Sequence, residues 1–400
     1  MKKTLIALAV LAAAGAASAQ SSVTIFGVVD ATIQRIDNGT GGAVTRLHNS
    51  GESSSRLGFR GVEDLGGGMS AQFWLEAGVN NDDGTGQAGS ANNQFLAPVA
   101  LDPTSTTART VAASGVRPGQ QGLMFNRRST VSLAGGFGEI RLGRDYTPQF
   151  YNLNVFDPYG TVGVGAQLLL SSVSLNPTSV RASNSIGYLL PSNLGGIYGQ
   201  AQYYRGENVS TAANSGDGNG WGLRLGYAAG PFNVAIATSR TTYGTVPVAA
   251  ATASALATPA TGQVLGNIRQ TNLGGSFDFG VAKLMGVVSR DSMNSAVGSF
   301  EGRGYMIGAT MPVGAGLIKA SVAQYTTDIP TSGTDPRARK YALGYVHNLS
   351  KRTAIYTTYA RVSNSNGVAG FASQPVTGGA GSPVLNGSST GYDLGIRHSF

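Results

Sequence analysis

The sequence predicts an all-β fold: a transmembrane antiparallel β-barrel of sixteen strands. Three observations carry that expectation. Segments of roughly ten residues alternate apolar and polar side chains with the period-two rhythm of a sheet that is wet on one face only. The connections between them alternate between tight turns and long polar loops. The last segment, Gly391 to Phe400, then ends on a bare aromatic. Tyr392, Leu394, Ile396, His398 and Phe400 fall on one of its faces, with Asp393, Gly395, Arg397 and Ser399 on the other. An exposed strand edge of this kind would invite pairing with other chains in a soluble protein. In a closed barrel it seals the wall and sets its aromatic at the lipid interface.

Taken in chain order, strands are expected near 22–36, 55–63, 69–80, 126–134, 139–145, 182–190, 196–206 and 219–229. The second half continues near 231–243, 268–278, 281–291, 302–311, 315–327, 340–348, 352–362 and 391–400. The clearest alternation sets Met69, Ala71, Phe73, Leu75 and Ala77 against Ser70, Gln72, Trp74, Glu76 and Gly78. It recurs as Ile197, Gly199, Ala201 and Tyr203 against Tyr198, Gln200, Gln202 and Tyr204, and as Ile318, Ala320 and Val322 against Lys319, Ser321 and Ala323. Trp74 stands on the polar face without a visible reason, and 352–361 alternates too poorly for its faces to be assigned. No helical periodicity of useful length is present, and no linker divides the chain.

Tight turns lie at Asp64–Gly68, Gly135–Gly138, Pro191–Gly195 and Gly230–Pro231. Long polar loops lie near 37–54, 81–122, 146–181, 207–218, 244–267 and 363–390, lengths that are uncommon inside compact soluble domains. A secreted β-sandwich or β-solenoid would also alternate. Against it, the apolar faces hold many Gly and Ala, aromatics gather near strand ends, and the final Phe has no cover.

Composition narrows the setting. Lys2 and Lys3, the apolar run Thr4–Leu11 and the small residues Ala17-Ser18-Ala19 predict a signal peptide over 1–19, leaving 20–400 as a single barrel. There is no cysteine, so closure or a large core rather than disulfides must hold the exported chain together. No later stretch is long and apolar enough for a transmembrane helix. Hydrophobic residues make up 41% and charged residues only 12%, with 59 glycines, which suits a wall apolar on one face and polar on the other. The net charge of +8 comes without a Lys/Arg block, so nucleic acid is not an expected partner.

Four blocks then resemble a known family. They are Ser22–Asp30, Ser55–Gly68, Asn126-Arg127-Arg128 with Gly136-Phe137-Gly138 and Leu142-Gly143-Arg144, and Leu394–Phe400. Together they resemble the trimeric general diffusion porins of Gram-negative outer membranes, most closely the beta-proteobacterial type. The resemblance implies a sixteen-stranded barrel whose third external loop, here about 146–181, folds into the lumen. It implies no enzyme and no cofactor, but passive passage of ions and small hydrophilic solutes; the weak to moderate anion selectivity expected here comes from the inward arginines named below, set against a single clear loop acid. It also implies a homotrimer, contact with outer-membrane lipid including lipopolysaccharide, and the barrel-assembly machinery as partner. Tyr392, His398 and Phe400 match its insertion signal.

The candidate constriction residues are Arg56, Arg128 and Arg181, each on the polar parity of its strand, with Asp157 as the clear acid of the third loop. The resemblance sets the arginines as a ladder opposite that loop, where cations facing a loop acid would make a transverse field. Arg141, Arg224 and Lys319 share the parity as supporting charges. Other functions are less well provided for. His48, His347 and His398 have no nucleophile and orienting acid on the same face. Asn80-Asn81-Asp82-Asp83-Gly84 lacks the spaced ligands of a dedicated calcium site. An adhesin or receptor acting through the long loops remains as the alternative.

Overall fold

The computed structural model describes residues 22–87, 89, 93–94, 124–170, 176–211, 215–243, 265–295, 298–330, 333–368, 373–378 and 381–400. The expected leader and most of the long loops 81–122 and 244–267 lie outside the described residues, as do 171–175 in the third loop.

The wall is one antiparallel sheet closed on itself. Its first half comprises β1 (Ser22–Asp37), β2 (in two pieces, Ala43–Asn49 and Arg56–Gly66), β3 (Met69–Asn80), β4 (Arg128–Gly135), β5 (Gly138–Tyr146), β6 (Arg181–Leu189), β7 (Ile197–Tyr204) and β8 (Gly220–Ala229). The second half comprises β9 (Phe232–Thr242), β10 (Leu265–Asp278), β11 (Lys283–Ser295), β12 (Gly298–Val313), β13 (Gly316–Asp328), β14 (Arg337–Asn348), β15 (Thr353–Ser365) and β16 (Ser388–Ser399). Each strand pairs with its sequence neighbour, and β16 returns to β1 in register from Val28 opposite Ser399 to Asp37 opposite Thr390. The seam ends in a reciprocal pair: Gly27 N–H donates to the Phe400 carbonyl at 3.0 Å, and Phe400 N–H to the Gly27 carbonyl at 3.1 Å.

Every expected strand is present, and the differences have local causes. Residues 43–49, expected in a polar loop, pair with Ala31–Asp37 and lengthen the first hairpin. Side chains across that pair hold it, with Arg35 donating to Thr45 Oγ1 at 3.1 Å and Arg46 to Gln34 Oε1 at 2.7 Å. Among the described residues there is one α-helix, α1 (Pro148–Val155), which opens with Pro in its first turn and ends at Phe156. Two turns are too short to show a helical period in sequence. A two-residue strand, Thr85–Gly86, folds back on the end of β3.

The faces alternate as the pattern requires. Leu343, Ile236 and Leu394 are 58%, 51% and 60% exposed, whereas Ala342, Ala235 and Asp393 beside them are buried. β15 now has its faces: Ala354, Tyr356, Thr358 and Ala360 are buried, and Ile355, Thr357, Tyr359 and Arg361 exposed. Its rhythm was unreadable because small and aromatic residues fill the buried side while Thr and Arg occupy the exposed one. The largest apolar cluster joins Phe156, Tyr159, Val164 and Leu169 to wall residues such as Ala235, Met306 and Val362. Glycines make room for it: a Cβ on Gly274 would collide with Phe156, and one on Gly308 with Pro158.

Gly27 is equally constrained, because a Cβ there would meet the Phe400 ring and the Arg56 carbonyl. Replacing Gly27 with Val should displace the terminal ring at the seam and cost about 1–3 kcal/mol. The check is the temperature at which the folded barrel converts to the unfolded form on gels; an unchanged midpoint would show that the ring's seat contributes nothing.

Candidate functional site

Strands β2 to β6 gather arginines on their buried face, and the network that holds them centres on Glu76. Arg127 Nε donates to Glu76 Oε1 at 2.6 Å, and Arg56 Nε lies 3.8 Å from the same oxygen. The indole N–H of Trp74 donates to Glu76 Oε2 at 3.1 Å. Arg127 and Arg181 each donate to the Tyr146 hydroxyl at 2.9 Å, and the Arg181 guanidinium lies 4.5 Å from the centre of that ring. Arg128 lies 4.5 Å above the Trp74 ring, donates to Thr130 Oγ1 at 3.1 Å, and sits 3.7 Å from Asp145. The three expected arginines are thus brought together through Trp74, Arg127, Tyr146 and Glu76.

This explains Trp74. On the polar face it is a shelf for guanidiniums, with Arg60 stacked 5.5 Å from its centre as well. Packing two cations over one indole adds to the hold that Glu76 and Asp145 provide.

Asp157 is placed elsewhere. Its carboxylate accepts from the backbone N–H groups of Tyr159, Thr161 and Gln167 at 3.0, 3.0 and 3.2 Å, folding the loop around itself. Burial pushes this carboxyl above its ordinary pKa, against the pull of those N–H groups. The same loop is fastened to distant wall strands. Val164 N–H donates to Asp393 at 2.9 Å, the Tyr159 hydroxyl to the Lys319 carbonyl at 3.0 Å, and Lys340 Nζ to the Ala166 carbonyl at 2.6 Å. Asn152 donates to Asn272 Oδ1 at 2.7 Å.

The supporting charges divide in the same way. Arg141 is neutralised by Glu139 at 2.8 Å and Asp145 at 2.6 Å. Arg224 donates to Asn152 Oδ1 at 2.9 Å between the Tyr151 and Tyr198 rings, and Lys319 pairs with Glu52 at 2.5 Å.

Parity missed two members of the cluster. Arg127 precedes β4, so it escapes the strand's alternation and turns into the site. Arg144 follows a bulge between Gly143 and Asp145, with Gly143 at φ 123°, and donates to Ser183 Oγ at 2.6 Å instead of facing out. Glu76 was legible: it shares its face with Trp74 and stands opposite Arg128 in register. Among the described residues no group of His, Cys, Asp or Glu is arranged to hold a metal ion.

This combination, a closed barrel with basic side chains gathered on its buried face, matches known proteins. The family model for Gram-negative porins matches residues 4–367. The chain belongs to the Gram-negative porins. It is 36% identical to outer membrane porin protein 32 of Delftia acidovorans over the full length of both chains. It is 27% identical to an outer membrane porin protein of Bordetella pertussis, again over both full lengths. Among solved structures, an anion-selective porin from Comamonas acidovorans aligns with a TM-score of 0.75 and 32% identity, covering 95% of this chain and 100% of that one. OmpT of Vibrio cholerae, with its loop L8 deleted, shares the fold at a TM-score of 0.65 and 12% identity, covering 95% of this chain and 99% of that one. This porin is accordingly a passive diffusion channel of the outer membrane, as those relatives and the closed barrel establish.

Glu76 is the one carboxylate shared by the two halves of the arginine cluster. Glu76→Gln should leave the buried Arg127 guanidinium short of its counter-charge and lower the barrel's stability by about 1–3 kcal/mol. Guanidinium unfolding followed by intrinsic tryptophan fluorescence, to which Trp74 contributes, would measure it. A variant as stable as the parent would mean that Glu76 does not hold the cluster.

Proposed function

We propose that this porin is an anion-preferring channel whose narrowest part lies between the Arg56–Arg128–Arg181 cluster and the loop 146–181. The observation that carries this reading is the charge count on the buried face of β2 to β6. Among the described residues, Arg56, Arg127, Arg128, Arg141, Arg144 and Arg181 stand there with only Glu76, Glu139 and Asp145 among them. The loop's apolar residues and Asp157 are taken up by their own packing, so the loop contributes bulk rather than an opposing acid. Its fastening to β9, β10, β13, β14 and β16 supports a position across the lumen from the arginines. Irregular backbone is tolerated at that depth when it lines water. Asp157 then acts as the positioning residue of the loop and not as part of the field.

In such a passage an anion exchanges part of its hydration for guanidinium hydrogen bonds, while a cation meets an uncompensated positive wall. Several shared, half-satisfied donors favour entry without a tight stop, so solutes pass without saturable binding. That the Comamonas acidovorans structure is of an anion-selective porin supports the same reading. Porins are channels rather than enzymes, and the proposal includes the absence of a catalytic activity, to be checked by lack of turnover with ester and phospholipid substrates. None of the relatives named above is described as an adhesin.

Assembly follows from the resemblance: a homotrimer, inserted through recognition of Tyr392, His398 and Phe400 by the barrel-assembly machinery. Supporting this, Tyr392 is exposed with its ring 5.0 Å from Tyr359, and His398 faces out beside Thr353. Crosslinking in unheated samples should give a trimer, and its absence would sink that part of the reading. Deleting Phe400 should strip the outer membrane of most assembled protein; normal surface levels would show that the terminus is no signal.

Selectivity is measured as a reversal potential across a salt gradient in planar bilayers. Neutralising Arg56 or Arg128 with Gln should lower the anion-to-cation permeability ratio about threefold. That corresponds to ~0.6 kcal/mol between anion and cation, ~0.3 kcal/mol on each, the interaction of unit charges about 14 Å apart in water. The effect should fade towards 1 M salt, where the screening length drops to about 3 Å. Cation preference in the unmodified porin would overturn the proposal.

A further inference from the structure

The closing strand carries one inward arginine that the network around Glu76 does not take up. Arg397 lies on β16 with the parity of the buried Asp393 and is itself half-buried. In register it stands opposite Asp30 of β1 and Ala354 of β15. Arg56 meets β1 from its other edge, opposite Val28. The two arginines therefore flank one strand, two residues apart in height, with their Cα atoms about 12 Å from one another. Arg56 and Glu52 both lie within electrostatic reach of the Arg397 charge.

What sets Arg397 apart is that nothing in the wall answers its charge. Arg56 has Glu76 at 3.8 Å and Arg128 has Asp145 at 3.7 Å, while Arg181 has the Tyr146 hydroxyl and ring. Among the described residues the Arg397 guanidinium forms no ion pair and no hydrogen bond, and its Nε is buried without an acceptor. The acids around it are spent elsewhere. Asp30 accepts from the backbone N–H groups of Gly51, Glu52 and Ser53 at 3.2, 3.0 and 2.6 Å, and from the Tyr356 hydroxyl. Asp393 accepts from Gln34 Nε2 and from Val164 N–H, each at 2.9 Å, and Glu52 is held by Lys319. Gly395 and Ser399 beside it, and Ala354 opposite, offer no ring to stack on. A guanidinium stays ionised even so, and its counter-charge must come from the water-filled lumen.

We propose that Arg397 is a specificity-determining residue of the pore, an unpaired cation that carries the arginine wall across the seam to the closing strand. A passing anion meets Arg397 and Arg56 on either side of β1 and takes hydrogen bonds from a guanidinium whose donors no protein group occupies. An ion drawing on Arg127 or Arg141 must instead compete with a carboxylate at 2.6 Å. Contact at Arg397 breaks no bond in the wall, so it is made and released easily, as a diffusion channel requires. This role rests on the anion-preferring reading of the pore and adds to it a residue from outside β2 to β6.

The chain has no cysteine, so Arg397→Cys creates a single thiol in the whole protein. The purified variant is placed in planar bilayers and its reversal potential is read across a salt gradient. The reading is repeated after adding a cationic (aminoethyl) or an anionic (sulfonatoethyl) methanethiosulfonate reagent to the bath. R397C should lower the anion-to-cation permeability ratio about threefold. The cationic reagent should restore it, and the anionic one should lower it about threefold again. Both reagents act on the folded channel, so a residue that merely braces the seam would not give opposite shifts. Should R397C fail to fold, Ser399→Glu is the second probe. It sets an acid two residues from Arg397 on the same face, the spacing at which Glu139 pairs with Arg141, and should lower the ratio about threefold. In an anion-preferring parent, an unchanged ratio in R397C or S399E, or a thiol that responds to neither reagent, would overturn this role alone. A cation-preferring parent would overturn it together with the reading on which it rests.

Discussion

Backbone hydrogen bonding without an edge is the constraint on which everything else depends. Hydrocarbon offers no partner to a bare N–H or C=O, so a sheet that crosses a membrane must close. Here closure is the pairing of β16 with β1, down to the reciprocal bonds between Gly27 and Phe400. It dictates an even strand number, with β1 starting and β16 ending on the turn side. It also turns one face of every strand to lipid and the other to water. The inversion of the usual globular rule follows, with Leu, Ile and Val exposed and Asp, Gln and Lys buried.

That two-faced wall is why so much of the fold was legible. Periodicity and turn chemistry are local signals, and the barrel is built from sixteen repeats of the same local problem. The functional face was less legible because it departs from the repeat. Arg127 lies one residue outside its strand, and Arg144 follows a glycine bulge, so parity alone sends both to the wrong side. Trp74 looked anomalous because its partners, Arg60 and Arg128, come from two different strands. Asp157 showed as a loop acid, yet nothing in sequence indicates that three backbone N–H groups of its own loop would converge on it. Arg240, Arg269, Arg290 and Arg303 share parity with the lipid-facing residues, and only the register across strands shows that Arg240 faces Arg269 and Arg290 faces Arg303.

Arginine is used in two ways. On the buried side, guanidiniums are spread over indole and phenol rings and a few shared carboxylates, which hold them in place. On the exposed side Arg303, Arg339 and Arg361 stand two residues from the exposed Tyr305, Tyr341 and Tyr359 on the same face. Lysine would serve either place poorly. It lacks the flat face that stacks on Trp74 and the fork that spans two strands. The two lysines on the buried face are instead spent as single-point fasteners, Lys319 on Glu52 and Lys340 on backbone carbonyls of Ala166 and Val376.

The fastening of the loop after β5 has a consequence for how the molecule comes into being. The loop begins at residue 146, but its anchors are Asn272, Lys319, Lys340 and Asp393, more than a hundred positions further along. Contacts of such separation cannot form until the intervening chain has been ordered, and the last of them needs the final strand. The arginine wall is drawn from residues 56 to 181 and can assemble early. The loop can settle only when the ring is shut. An unfinished barrel therefore lacks these loop contacts, and the finished one gains the last of them in the same event that removes its edge.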